Sequence, residues 1–108
     1  MITIHGRTRC QMYKGKSDWA FIKKVKDAVK IPVIANGDVE NFNDVNNILE
    51  ISSADGLMIG RGTYGKPWIF KDISSKFNNK KKFEISLELK KTIILEHFNL
   101  SLEHYGID

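Results

Sequence analysis

The chain has 108 residues, of which 42% are hydrophobic and 28% charged, with a formal net charge of +4. That balance is globular rather than disordered, and the length is one domain's worth, too short for a complete eight-stranded α/β barrel of roughly 250 residues. The single cysteine, Cys10, excludes an internal disulfide and a multi-cysteine zinc site, and no apolar run approaches the roughly 20 residues of a membrane-spanning helix.

Ile2-Thr3-Ile4 is a short β-rich run that ends at His5-Gly6. Ser17 or Asp18 can cap a first helix. Phe21, Ile22, Val25, Ala28 and Val29 recur on one face of it, and Ile31-Pro32 ends it, because the residue before proline is pushed out of the α region. Val33-Ile34-Ala35 is a continuous apolar run of the kind that forms buried parallel strands, and Asn36-Gly37-Asp38 is a turn by composition. Asn41 or Asn43 can start a second helix with Val45, Ile48 and Leu49 inward, broken at Ser52-Ser53. Gly56 to Ile59 is a third strand, followed by Gly60-Arg61-Gly62. A short amphipathic helix is expected around Trp68-Ile69-Phe70 and Ile73, with Trp19, Trp68 and Phe70 as packing residues. A linker follows at 76–83. A last helix is capped by Ser86 and stopped at Gly106, and its stripe of Leu87, Ile94, Phe98, Leu102 and Tyr105 requires a partner surface.

The β-α-β-α-β order predicts parallel strands, whose carboxyl ends are where α/β folds bind ligands. The informative clusters are therefore His5-Gly6-Arg7, Asn36-Gly37-Asp38 and Gly60-Arg61-Gly62, on one rim. Gly60-Arg61-Gly62 suits a phosphate, since glycines let backbone N–H groups approach an anion and arginine adds a charge-assisted contact; taken alone the three residues favour a tight turn with a solvated arginine. Gly37 can expose backbone donors to a ligand or form an ordinary Asn-Gly turn. His5 can contact a ligand or be structural. Cys10 has no evident base beside it and reads as a non-catalytic loop thiol.

Basic residues cluster in two places. Residues 1–30 hold Arg7, Arg9, Lys14, Lys16, Lys23, Lys24, Lys26 and Lys30 against Asp18 and Asp27, and residues 66–91 are lysine-rich. A polyanionic partner such as RNA fits this pattern. So does an AT-rich gene, which would raise Lys, Ile and Asn together. No basic stretch followed by an apolar one opens the sequence, so a secretory signal is not expected and a cytoplasmic setting is.

Taken in order, Ile4-His5-Gly6-Arg7-Thr8-Arg9, Tyr13-Lys14-Gly15, Ile31 to Asp38, Ala54 to Gly62 and Gly65-Lys66-Pro67-Trp68-Ile69-Phe70 resemble the tRNA-dihydrouridine synthase family, in particular its bacterial, nitrogen-regulation-like branch. That family combines an FMN-bearing α/β (TIM) barrel with a helical domain that helps grip tRNA, and it reduces uridine with FMN and NADPH. The resemblance implies a partial barrel: its last three β/α units at 1–75, the linker at 76–83, and the start of the helical domain at 84–108. It implies that His5 contacts the flavin, that Asn36, Gly37 and Asp38 line the FMN site, that Gly60 and Arg61 bind the phosphate, and that Arg7 lies near the substrate RNA.

The family's catalytic cysteine, a flavin-contacting lysine and the first FMN contacts belong to earlier barrel segments. Cys10 lies in the wrong segment to replace that cysteine. The expectation is a C-terminal piece that is inactive alone, with the N-terminal half of the barrel as an implied partner. The other reading is a non-catalytic flavin-, phosphate- or RNA-binding remnant of a split or decayed gene.

Overall fold

A computed structural model describes residues 1–78 and 84–106. Three parallel strands, β1 (Ile2–His5), β2 (Val33–Asn36) and β3 (Gly56–Met58), form one sheet in the order β1-β2-β3. Helix α1 (Trp19–Ala28) links the first pair and α2 (Phe42–Ser52) the second. A 3₁₀ turn at Arg61–Thr63, α3 (Ile69–Phe77) and α4 (Leu87–Tyr105) follow.

The helix starts are local chemistry. Asp18 caps α1 by accepting from the Phe21 N–H at 2.8 Å. Asn41 caps α2 through a capping box, in which its side chain accepts from Asn43 and Asp44 N–H while the Asp44 carboxylate accepts from Asn41 N–H. Ser53 ends α2 in the left-handed conformation. Of the two candidate caps at each start, Asp18 and Asn41 are the ones used. Ser86 caps α4 and Gly106 closes it, as expected.

Strand register divides the sheet into two different faces. Ile2 pairs with Val33, and Ile4 with Ala35 and then Leu57, so these side chains share one face. The helices cover that face, and Val33 and Ala35 are fully buried against Ile22, Val45 and Ile48. Ile69 and Ile73 of α3 extend the same core. Thr3, Ile34 and Gly56 share the opposite face with the layer His5, Asn36 and Met58, and among the described residues the buried core lies on the first face alone. A consecutive strand order with α1 and α2 packed side by side is single winding. The central strand is therefore buried on one face and half-buried on the other, rather than buried on both as its apolar run suggested.

Other expectations shift in detail. In α1 only Ile22 is fully buried; Phe21 is exposed, because the helix meets the sheet and α2 along a narrower seam than its apolar stripe. Phe70 is exposed rather than packed, while Trp19 and Trp68 are half-buried. Helix α3 takes in the first two residues of the expected linker, and residues 79–83, including the lysine run, lie outside the described set, as do residues 107 and 108.

Helix α4 has no buried residue, and Leu87, Ile94, Phe98 and Tyr105 of its expected stripe are exposed. The radius of gyration is 16.6 Å, against about 13 Å for a compact domain of this length. Among the described residues no helix is long and apolar enough to cross a membrane.

Gly62 is a packing requirement. A Cβ there would lie 2.0 Å from the Val39 carbonyl oxygen. Gly62→Ala is expected to cost about 1–3 kcal/mol of stability by forcing two backbone segments apart. Urea denaturation measures it, and an unchanged midpoint would contradict the contact.

Candidate functional site

The three turns chosen from sequence converge. His5, Asn36, Gly37, Asp38, Gly60 and Arg61 all line one cavity of about 240 Å³ at the carboxyl ends of the strands, together with Tyr13, Val39, Glu40, Met58 and Gly62. Parallel pairing brings them together, since His5, Asn36 and Met58 occupy one register layer at the last position of each strand. The cavity is smaller than the roughly 300–1,000 Å³ of a pocket that holds a whole drug-sized ligand.

Hydrogen bonds fix the polar side chains. Asn36 donates from Nδ2 to the Met58 carbonyl at 2.7 Å, locking the end of β2 to β3. His5 Nδ1 lies 3.1 Å from the Asn36 carbonyl. A carbonyl only accepts, so this contact requires the proton on Nδ1 and leaves Nε2 for a ligand. Trp19 donates from Nε1 to the Gly37 carbonyl at 3.0 Å and so ties α1 to the rim.

The β2 turn has special backbone geometry. Gly37 adopts φ 126° and Asp38 φ 55°. Any side chain at Gly37 would strike the Ser17 hydroxyl. Gly60 is the opposite case, because space is open where a Cβ would point, while its carbonyl accepts from the Thr63 N–H and hydroxyl.

Arg61 is half exposed. Its guanidinium lies 4.4 Å from the centre of the Tyr13 ring, and its Nη2 is 3.6 Å from Asp38 Oδ1. This is a loose hold, and it keeps a cation at the cavity edge.

Arg7 is placed differently. Its side chain is 3% exposed and does not line the cavity. It donates from Nη2 to Asp38 Oδ2 and to the Gly15 carbonyl, both at 2.6 Å. Asp38 Oδ2 also accepts from the Ser17 N–H at 2.7 Å. Burial alone would raise the Asp38 pKa, but the hydrogen bonds from Arg7 and Ser17 and the charges of Arg7 and Arg61 outweigh it, so the carboxyl titrates below its ordinary range.

Sequence reasoning singled out neither Tyr13 as a cavity wall nor Ser17 as a partner of Asp38. The one available signal was the Tyr13-Lys14-Gly15 run in the loop after His5-Gly6-Arg7. Cys10 is exposed and lies outside the cavity lining. Among the described residues, no group of three or more His, Cys, Asp and Glu could hold a metal ion.

At the other end of the sheet, Asp55 accepts from the Val33 N–H and from Lys26, and the Lys26 hydrogen bond is the main cause of its own lowered pKa. Both carboxyls bind protons more weakly in the folded chain than at their unfolded values near about 3.9. Their contribution to stability is thus complete above that pH and lost as pH falls through the lower folded values. Urea midpoints measured from pH 5 downward are expected to drop below about pH 4, and Asp38→Asn is expected to remove part of the decline. A midpoint that rises on acidification would contradict the assignment.

The chain was compared with known proteins. A family model described as dihydrouridine synthase matches residues 1–108. A probable tRNA-dihydrouridine synthase of Rickettsia bellii is 53% identical over 107 residues, which cover 98% of this chain and 33% of the relative. The corresponding protein of Rickettsia conorii is 50% identical over 107 residues, covering 98% and 32%. The tRNA-dihydrouridine synthase B of Vibrio vulnificus is 44% identical over 106 residues, covering 97% and 33%. The chain spans about a third of the length of these relatives.

Proposed function

The chain belongs to the dihydrouridine synthase family, and from that premise we propose that it forms the cofactor-phosphate side of an enzyme that reduces uridine in tRNA with FMN and NADPH. The observation that carries this reading is the convergence of His5, Asn36-Gly37-Asp38 and Gly60-Arg61 on one cavity at the strand ends.

The residues fit the cofactor. The open space at Gly60 and the loosely held guanidinium of Arg61 suit a phosphate. Asn36 and Gly37 line the same cavity. The His5 Nε2 can accept a hydrogen bond from, or once protonated donate one to, the flavin ring system. Bound FMN would carry the hydride between NADPH and the C5–C6 double bond of uridine.

The open sheet face carrying Thr3, Ile34 and the His5-Asn36-Met58 layer is the face that an α/β barrel turns inward. Single winding, with α1 and α2 packed side by side on the other face, supports the same architecture, with 1–75 as barrel and 84–108 as the start of a helical domain. The N-terminal half of the barrel is then the partner that covers the open face.

Arg9, Lys14 and Lys16 are exposed on the loop that carries Tyr13 to the cavity, where they suit tRNA phosphates. Arg7 serves the RNA side by holding that loop. A tRNA substrate implies a cytoplasmic setting. The family's proton donor to uracil is a cysteine, and Cys10 stays off the cavity. The chain alone therefore binds without reducing.

A flavin-fluorescence titration with FMN tests the cofactor reading. Riboflavin, which lacks the phosphate, is expected to bind more weakly, and Arg61→Ala should weaken FMN by about 10- to 100-fold, as loss of a charge-assisted hydrogen bond does. A flat titration overturns the reading. The division of labour is tested separately by tRNA mass spectrometry in a strain whose only synthase is this chain. No dihydrouridine is expected, and its restoration would show that Cys10 or another group supplies the proton.

A further inference from the structure

One carboxylate ties together three separate parts of the rim. Asp38 sits at the end of β2 and reaches Arg7, just beyond β1, and the Ser17 N–H, just before α1. Arg7 also holds the Gly15 carbonyl. Both ends of the 8–16 loop are thereby pinned to β2 through a single side chain. The other oxygen of Asp38 faces Arg61 beyond β3, and Arg61 in turn rests on Tyr13 of the same loop.

Arg7 depends on this carboxylate more than the reverse. Its Nε and Nη1 are buried and have no hydrogen-bond partner among the described residues. Asp38 is the acid paired with its buried charge. A carboxylate pointed at a phosphate would repel it. Here the charge of Asp38 is matched by Arg7, while Arg61 keeps its positive charge at the cavity.

Resting on the phosphate reading above, we infer that Asp38 is a positioning residue: its carboxylate does not touch the cofactor but holds the 8–16 loop and Arg61 in the geometry that receives the phosphate. This narrows the expectation that all of Asn36-Gly37-Asp38 serves FMN directly. All three line the cavity, but the oxygens of Asp38 are directed at Arg7, the Ser17 N–H and Arg61, so Asp38 acts through the two arginines.

Asp38→Asn is the clean probe, because asparagine accepts the left-handed backbone and keeps the shape while removing the charge. Limited trypsin digestion of the 108-residue chain, followed by mass spectrometry, reads the loop through cuts after Arg9 and Lys14. FMN fluorescence titration reads the site. The variant is expected to be cut in the loop about tenfold faster and to bind FMN about tenfold more weakly, with far-UV circular dichroism unchanged.

Unchanged loop cleavage overturns the brace, whatever FMN does. Faster cleavage with FMN binding as tight as in the parent overturns the positioning role. A parent chain that does not bind FMN refutes the phosphate reading itself, and the cleavage data keep that failure distinct from failure of the brace. Should the variant not fold, hydrogen exchange on the parent decides: Ser17 N–H is expected to be protected, and exchange as fast as its exposed loop neighbours overturns the inference.

Discussion

A buried guanidinium beside a strand end is an expensive object, and the rim of this protein is arranged around compensating one. Arg7 leaves β1 and turns inward, where its charge is tolerable only against a carboxylate with good geometry. The carboxylate comes from a position 31 residues later. To present it, the chain must leave β2 through two consecutive residues with positive φ, Gly37 and Asp38. Glycine takes the first, where a side chain would collide with Ser17, and aspartate is among the few side-chain-bearing residues that take the second at low cost. The pair then determines where the 8–16 loop runs, where Tyr13 stands and what Arg61 leans on.

The same economy of position explains the cavity. Parallel strands in register place their last residues in one layer, so His5, Asn36 and Met58 meet without any long-range search beyond strand pairing itself. The Asn36 amide then donates to the Met58 carbonyl at the end of β3, and the His5 ring shares the Asn36 carbonyl with the Gly6 N–H. The site is thus built from groups that also finish the sheet. Its opposite pole is finished in an analogous way, with Asp55 capping the start of β2 and tying it to Lys26 of α1.

Packing is asymmetric. One sheet face is sealed by α1, α2 and α3 around Ile22, Val33, Ala35, Val45 and Ile48. The other face exposes Met58 beside polar residues, and α4 presents Leu87, Ile94, Leu95, Phe98 and Leu100 to solvent. An isolated single-core domain would not tolerate this distribution easily. The relatives it matches are about three times its length.

Much of this was written locally. Helix starts at Ser17 or Asp18 and at Asn41 or Asn43, the cap at Ser86, the stop before Pro32 and the order of elements along the chain depend on interactions within a few residues, and the sequence by itself determined them. It also determined the candidate rim, because parallel α/β order places strand carboxyl ends together. Only the tertiary structure decided that Arg7 is buried and bound to Asp38, that Phe21 and Phe70 stay exposed, and that Tyr13 walls the cavity. Those outcomes depend on which groups meet across 31 residues of chain or more, and on how narrow the seam between helix and sheet becomes. Neither is encoded in the periodicity of any one segment.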